Sequence, residues 1–195
     1  MANPAQVQYN GMILLHSYLQ RMYVYENTKL ILNFNGQPDV LTEVKGFMEE
    51  VNLMVTMFED TKMMATTQYK RLLVITTRIE ALLKDYFIDN EYDFSYQVAL
   101  VASALYGERA MNSHVIRLGK IFDVEVSADF ERRIKFYEER TKAINAVVHI
   151  LKNGEELPQK MIETIRLWFD GVDKQRETVI KDADKIKPML SYGIQ

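Results

Sequence analysis

Between Leu41 and Tyr86 apolar residues recur at steps of three or four: Leu41, Val44, Met48, Val51, Val55, Phe58, Ala65, Tyr69, Leu72, Ile79, Leu83 and Tyr86. Lys62 and Thr76 interrupt the series, and no Gly or Pro occurs between Gly46 and Gly107. Such a pattern specifies an amphipathic helix with one narrow apolar seam, of the kind that packs in coiled coils. A continuous helix over 39–88 would be roughly 75 Å long at 1.5 Å per residue. A globule of this chain length has a radius of gyration of only about 16 Å. The helix therefore breaks, or the molecule is elongated and exposes a strip that one small fold cannot cover by itself. Lys62 on the seam and the neighbouring Thr66-Thr67 place the expected break or kink near 60–67.

The rest of the chain is also read as helix. A first helix is expected from about Ala5 to Leu32, with Met12, Leu15, Leu19 and Met22 on its apolar face. Asn33-Phe34-Asn35-Gly36-Gln37-Pro38 reads as a turn, with Asp39 as N-cap of the long helix. Residues 86–96 form an acidic, aromatic connector, and Ser95 is placed to cap a short helix over about 96–106. Gly107 and Gly119 bracket another piece. Ser127 is expected to cap a helix carrying Phe130, Ile134, Tyr137, Ile144, Val148 and Leu151, which Lys152-Asn153-Gly154 stops. Pro158 falls in the first turn of a further helix with Met161, Ile165, Trp168 and Val172 inward. Acid-before-base pairs at i,i+4, such as Glu80 with Lys84 and Glu138 with Lys142, mark solvated faces. The expected fold is all-α: an elongated bundle of about five or six helices with coiled-coil-like seams. It forms a single domain over 1–195, with possible lobes at 1–88 and 95–188.

Composition narrows the function classes. A formal charge of −3 argues against an electrostatic hold on nucleic acid or an anionic membrane. The absence of cysteine excludes disulfides, thiolate metal sites and cysteine nucleophiles. No run approaches the ~18 apolar residues of a membrane span, and the start Met-Ala-Asn-Pro-Ala lacks the basic region of a signal peptide. The protein is expected in the cytoplasm or within a virus particle, neither secreted nor membrane-spanning.

Motifs that carry chemistry are missing. His16, His114 and His149 have no carboxylate three or four residues away, so no Glu-x-x-His metal constellation is built locally. Adjacent acids such as Glu138-Glu139 point about 100° apart on a helix and do not converge on one atom. Neither G-x-x-x-x-G-K nor G-x-G-x-x-G occurs, and no serine lies in G-x-S-x-G. The sequence reading is a non-enzyme with no catalytic, cofactor-binding or metal-binding residue and no cofactor.

Residues 102–120 fit a helix-turn-helix loosely. Ala102, Gly107 and Ile116 suit it, but Ser113 falls where an apolar residue is wanted. Tyr86, Phe87, Tyr92, Phe94, Tyr96 and Trp168 are the candidate partner-binding residues, since interfaces enrich Tyr, Trp and Phe; filling of the bundle ends is the competing role. The function expected is a structural or assembly component packing with copies of itself or a larger scaffold, for example an adaptor or ring subunit of a virus particle. The alternative is a regulatory module docking one macromolecule: a protein, or less favourably DNA through 102–120.

Overall fold

The structure is a computed structural model and describes residues 2–86 and 93–194. Among these residues there are helices and no strands: α1 (Pro4–Ile31), α2 (Pro38–Thr61), α3 (Thr66–Tyr86), α4 (Phe94–Phe122), α5 (Asp129–Lys152), α6 (Gln159–Lys174), α7 (Arg176–Ala183) and α8 (Ile186–Leu190). None of them is long and apolar enough to cross a membrane. The segmentation differs from the five or six helices expected, for local reasons.

The long seam is interrupted where Lys62 enters the left-handed region with φ +53 and caps α2 through its N–H to the Phe58 carbonyl. Gln68 then accepts from the Ala65 N–H at 2.9 Å, satisfying an orphan donor at the start of α3. Pro38 occupies the first turn of α2, so the N-cap is Gln37 and Asp39 falls inside the helix. Asp93, rather than Ser95, caps α4, accepting from the Ser95 N–H at 2.9 Å. At the end of α5 the expected stop is present: Gly154 has φ +70, and the Glu155 N–H reaches the Ile150 carbonyl at 3.1 Å in a Schellman closure.

Gly107 does not break the chain. α4 runs uninterrupted through it, which removes the turn that a helix-turn-helix over 102–120 requires. Its lack of a side chain serves packing instead. A Cβ at Gly107 would lie 2.4 Å from Cγ of Arg21, and the Gly107 carbonyl accepts from Ser17 Oγ at 2.9 Å. Small residues here let α1 and α4 approach closely.

That close pair is the centre of the molecule. α1 is buried on nearly all sides, and besides α4 it packs against α2, α3 and α8. α4 also packs against α5 and α6. One core cluster draws Tyr9, Leu15 and Leu19 from α1, Val51 and Phe58 from α2, Ile79 from α3, Leu100 from α4 and Ile186 from α8. The seam of α2 and α3 is therefore not left open. Val44, Val51, Val55, Phe58, Leu72, Ile79 and Leu83 are all buried within the chain, as is the interrupting Thr76, whose hydroxyl bonds the Leu72 carbonyl at 2.8 Å. Ala65 is exposed. The expectation of an uncovered strip is overturned, because the break at Lys62 lets both halves fold onto α1.

Candidate protein-interaction surface

The expected partner anchors separate by position. Tyr86 and Tyr96 lie in the core: Tyr86 bonds Ser103 through its hydroxyl, and Tyr96 donates to the Tyr86 carbonyl at 3.3 Å. With Tyr25 and Phe169 they form an aromatic column joining α1, α3, α4 and α6, ring centroids 4.7 to 6.4 Å apart. These two fill the bundle, the competing role. Phe94 is half-buried and packs against the same core. Phe87 and Tyr92 lie outside the described residues. Trp168, also half-buried, borders two surface depressions.

Trp168 stands between two depressions on the α5–α6 hairpin. One is a groove of about 450 Å³ walled by Ala143 and Val147 from α5 and by Pro158, Met161, Ile165 and Trp168 on the α6 side. Its single charged wall residue is Lys160, and Thr164 is the only other polar one. The other depression lies towards α4 and includes Arg140, Phe136 and Leu167. There the Arg140 guanidinium sits 4.1 Å from the Phe136 ring centroid and 4.6 Å from that of Trp168. Burial lowers the Arg140 pKa from its ordinary value, yet its face-on contacts are aromatic, and no carboxylate pairs with it among the described residues. The acid in that depression, Glu108, is held by Arg21 at 2.9 Å. Leu167, 69 % exposed, extends the apolar surface beyond the rim.

A second exposed patch lies on α2, away from its buried seam. Leu53 is 61 % exposed and Met57 48 %, and Met63 in the following loop reaches 74 %. Sequence reasoning names Trp168 at the first patch but passes over Leu167 and the α2 patch, because periodicity reports the face a helix buries and stays silent on apolar residues left outside it. Leu53 and Met57, one helical turn apart on the otherwise polar face of α2, were the available signal.

The polar cluster that could do chemistry is differently placed. His16 and His114 contact each other across α1 and α4, Nδ1 to Nε2 at 3.1 Å. Beside them Arg117 binds Glu59 at 2.5 Å, and Glu59 also accepts from Tyr9 at 2.8 Å. Burial, then the Glu59 bond, raises the Tyr9 pKa. Among the described residues no group of three or more His, Asp or Glu side chains is placed to hold a metal ion. His149 bonds Asn153 at the exposed end of α5. No protein-family model, curated protein or solved structure matches this chain.

Proposed function

We propose that the chain is a non-enzymatic structural or assembly protein that packs into a larger homo- or hetero-oligomeric complex. The observation that supports this reading is the apolar α5–α6 groove, with Trp168 at its end. A concave, nearly uncharged surface of this size suits burial of apolar side chains from a partner, and a Trp beside an Arg is the composition of an interface anchor. The groove takes over the role that the sequence assigned to the α2–α3 seam, which the chain itself covers.

Native mass tests the proposal. Light scattering on the purified chain at rising concentration, together with the native size of the chain in an extract of its source, is expected to give a multimer or a larger complex in at least one of the two. A compact monomer in both would overturn it.

A further inference from the structure

We infer that the α5–α6 groove receives the outer face of α2 from a second copy of this chain, so that copies join head to tail. The inference rests on the assembly reading above and names its partner surface.

The lining decides what kind of segment can enter. An extended peptide laid in a groove this apolar would bury main-chain N–H and C=O groups with nothing to bond, at a cost of several kcal/mol each by transfer from water. Nor can the groove walls supply partners, since α5 and α6 use their own backbone groups internally. A helix satisfies its backbone within itself, so a helical occupant fits. From Met161 to Trp168 the wall runs seven positions, roughly 10 Å, about two helical turns. That length takes two anchors one turn, about 6 Å, apart and leaves residues flanking them to lie beyond its ends.

The outer face of α2 has this arrangement. Glu49, Leu53, Met57 and Asp60 fall within an arc of about 80° at 3.6 residues per turn, turned away from the buried Val51, Val55 and Phe58. Two apolar anchors thus stand between two exposed acids. Glu49 and Asp60 make no ion pair among the described residues, whereas their neighbours Glu50 and Glu59 are taken by Arg71 and Arg117. The groove offers the opposite charge. Lys160 stands in its wall, and Arg140 lies just beyond its Trp168 end, over the Trp168 ring in the neighbouring depression, both without a carboxylate partner among the described residues. Leftover acids flank the ridge and leftover cations flank the groove, so one contact between copies would neutralise both sets. Because ridge and groove are different surfaces, the contact is heterologous and leaves a free ridge at one end and a free groove at the other. Assemblies of this kind grow into rings or filaments.

Complementation between two disabled variants tests this directly. Leu53→Asp disables the ridge and leaves the groove intact; Thr164→Glu puts a like charge into the groove and leaves the ridge intact. Both positions keep surface access, and circular dichroism of each variant checks that the helices remain. Each variant alone is expected to sediment as a monomer, and an equimolar mixture as a 1:1 dimer that grows no further. Trp168 is the only tryptophan, so its emission should shift when the mixture forms and in neither component alone. Lys160→Glu should weaken wild-type association roughly threefold to tenfold, the size of a rim charge, and added salt should weaken it further. Multimers that survive both substitutions would overturn the inference and leave the assembly reading standing through another surface. A wild-type chain that is monomeric when pure but large in its source extract would likewise overturn only the inference. A monomer in both settings would remove the two together.

Discussion

Nε2 of His114 on α4 lies 3.1 Å from Nδ1 of His16 on α1, the two rings meeting edge to face with centroids 5.0 Å apart. One imidazole must donate and the other accept, so the nitrogen that accepts must carry no proton and the contact is lost once both rings are protonated. Burial, then the neighbouring His16 and the Arg117 charge, pushes the His114 pKa down to about 4. Burial and Arg117 lower that of His16 as well. The surrounding charges therefore oppose protonation: Arg117 comes from α4, and Glu59 of α2, which would oppose it, is committed to Arg117 and Tyr9.

The stability consequence has a definite sign. Between an unfolded histidine value near 6.5 and about 4, the unfolded chain binds more protons than the folded one, so stability is fully present above pH 6.5 and is lost as pH falls toward 4. The loss attributable to His114 is on the order of 3 kcal/mol, at 1.36 kcal/mol per pKa unit. Urea unfolding across this range should show a steeper decline for the wild-type chain than for His114→Gln. Parallel curves would mean that the imidazoles titrate alike in both states.

Gly107 and Gly46 should respond to alanine with opposite signs. Both are helical, and relief of glycine's backbone entropy alone is worth roughly 0.5–1 kcal/mol. At Gly46 a Cβ meets nothing within 4 Å, so Gly46→Ala should stabilise the protein by that amount. At Gly107 the Cβ would press on Cγ and Nε of Arg21, which is buried and bonded to Glu108. Arg21 would have to leave, and Gly107→Ala should cost about 1–3 kcal/mol, the range for overpacking. Thermal midpoints of the two variants moving in the same direction would contradict the close α1–α4 approach.

These two glycines also show where sequence reading reached its limit. A helical pattern names the buried face of each element, and the seam residues Val44, Val51, Phe58, Leu72 and Ile79 are indeed interior. The break near Lys62 was readable because a cation on an apolar seam and a run of β-branched residues are local facts. Gly107 was read as a turn because a glycine's local effect is to weaken a helix, whereas its use here depends on Arg21, far away in sequence. The His16–His114 contact and the Arg140 sandwich between Phe136 and Trp168 are of the same long-range kind. Even the charge pattern was partly redirected. Glu80 and Glu138, expected to meet Lys84 and Lys142 one turn on, instead reach Lys187 at 2.9 Å and Arg109 at 3.4 Å on other helices.

Val51 and Leu53 are two residues apart and should behave as opposites. Val51 is fully buried in the core that α2 shares with α1, and Leu53 points outward. A carboxylate at 51 would be charged, unpaired and dry, so Val51→Asp should cost about 3–5 kcal/mol and leave the chain largely unfolded at marginal stability. Leu53→Asp should change stability by less than about 0.5 kcal/mol. Denaturant midpoints decide it. A folded Val51→Asp protein would show that the α2 seam does not face the core.

α2 and α3 are held in antiparallel register by two charged rungs. Arg71 binds Glu50 with Nε and Nη2 at 2.6 and 3.0 Å, and Arg78 binds Glu43 with the same pair of distances. The acids step back by seven residues as the arginines step forward by seven, so both rungs fit only one sliding position of the hairpin. Their fork geometry is bidentate, but all four side chains are about one-third exposed or more, which limits each rung to roughly 0.2–1 kcal/mol. Glu50→Arg would replace one rung by a repulsion and should destabilise by up to about 1 kcal/mol, and Arg71→Glu in the same chain should return most of it. A double-mutant cycle with no coupling between the two positions would mean that the rungs are passive decoration on a register set by Val51, Val55, Leu72 and Ile79 alone.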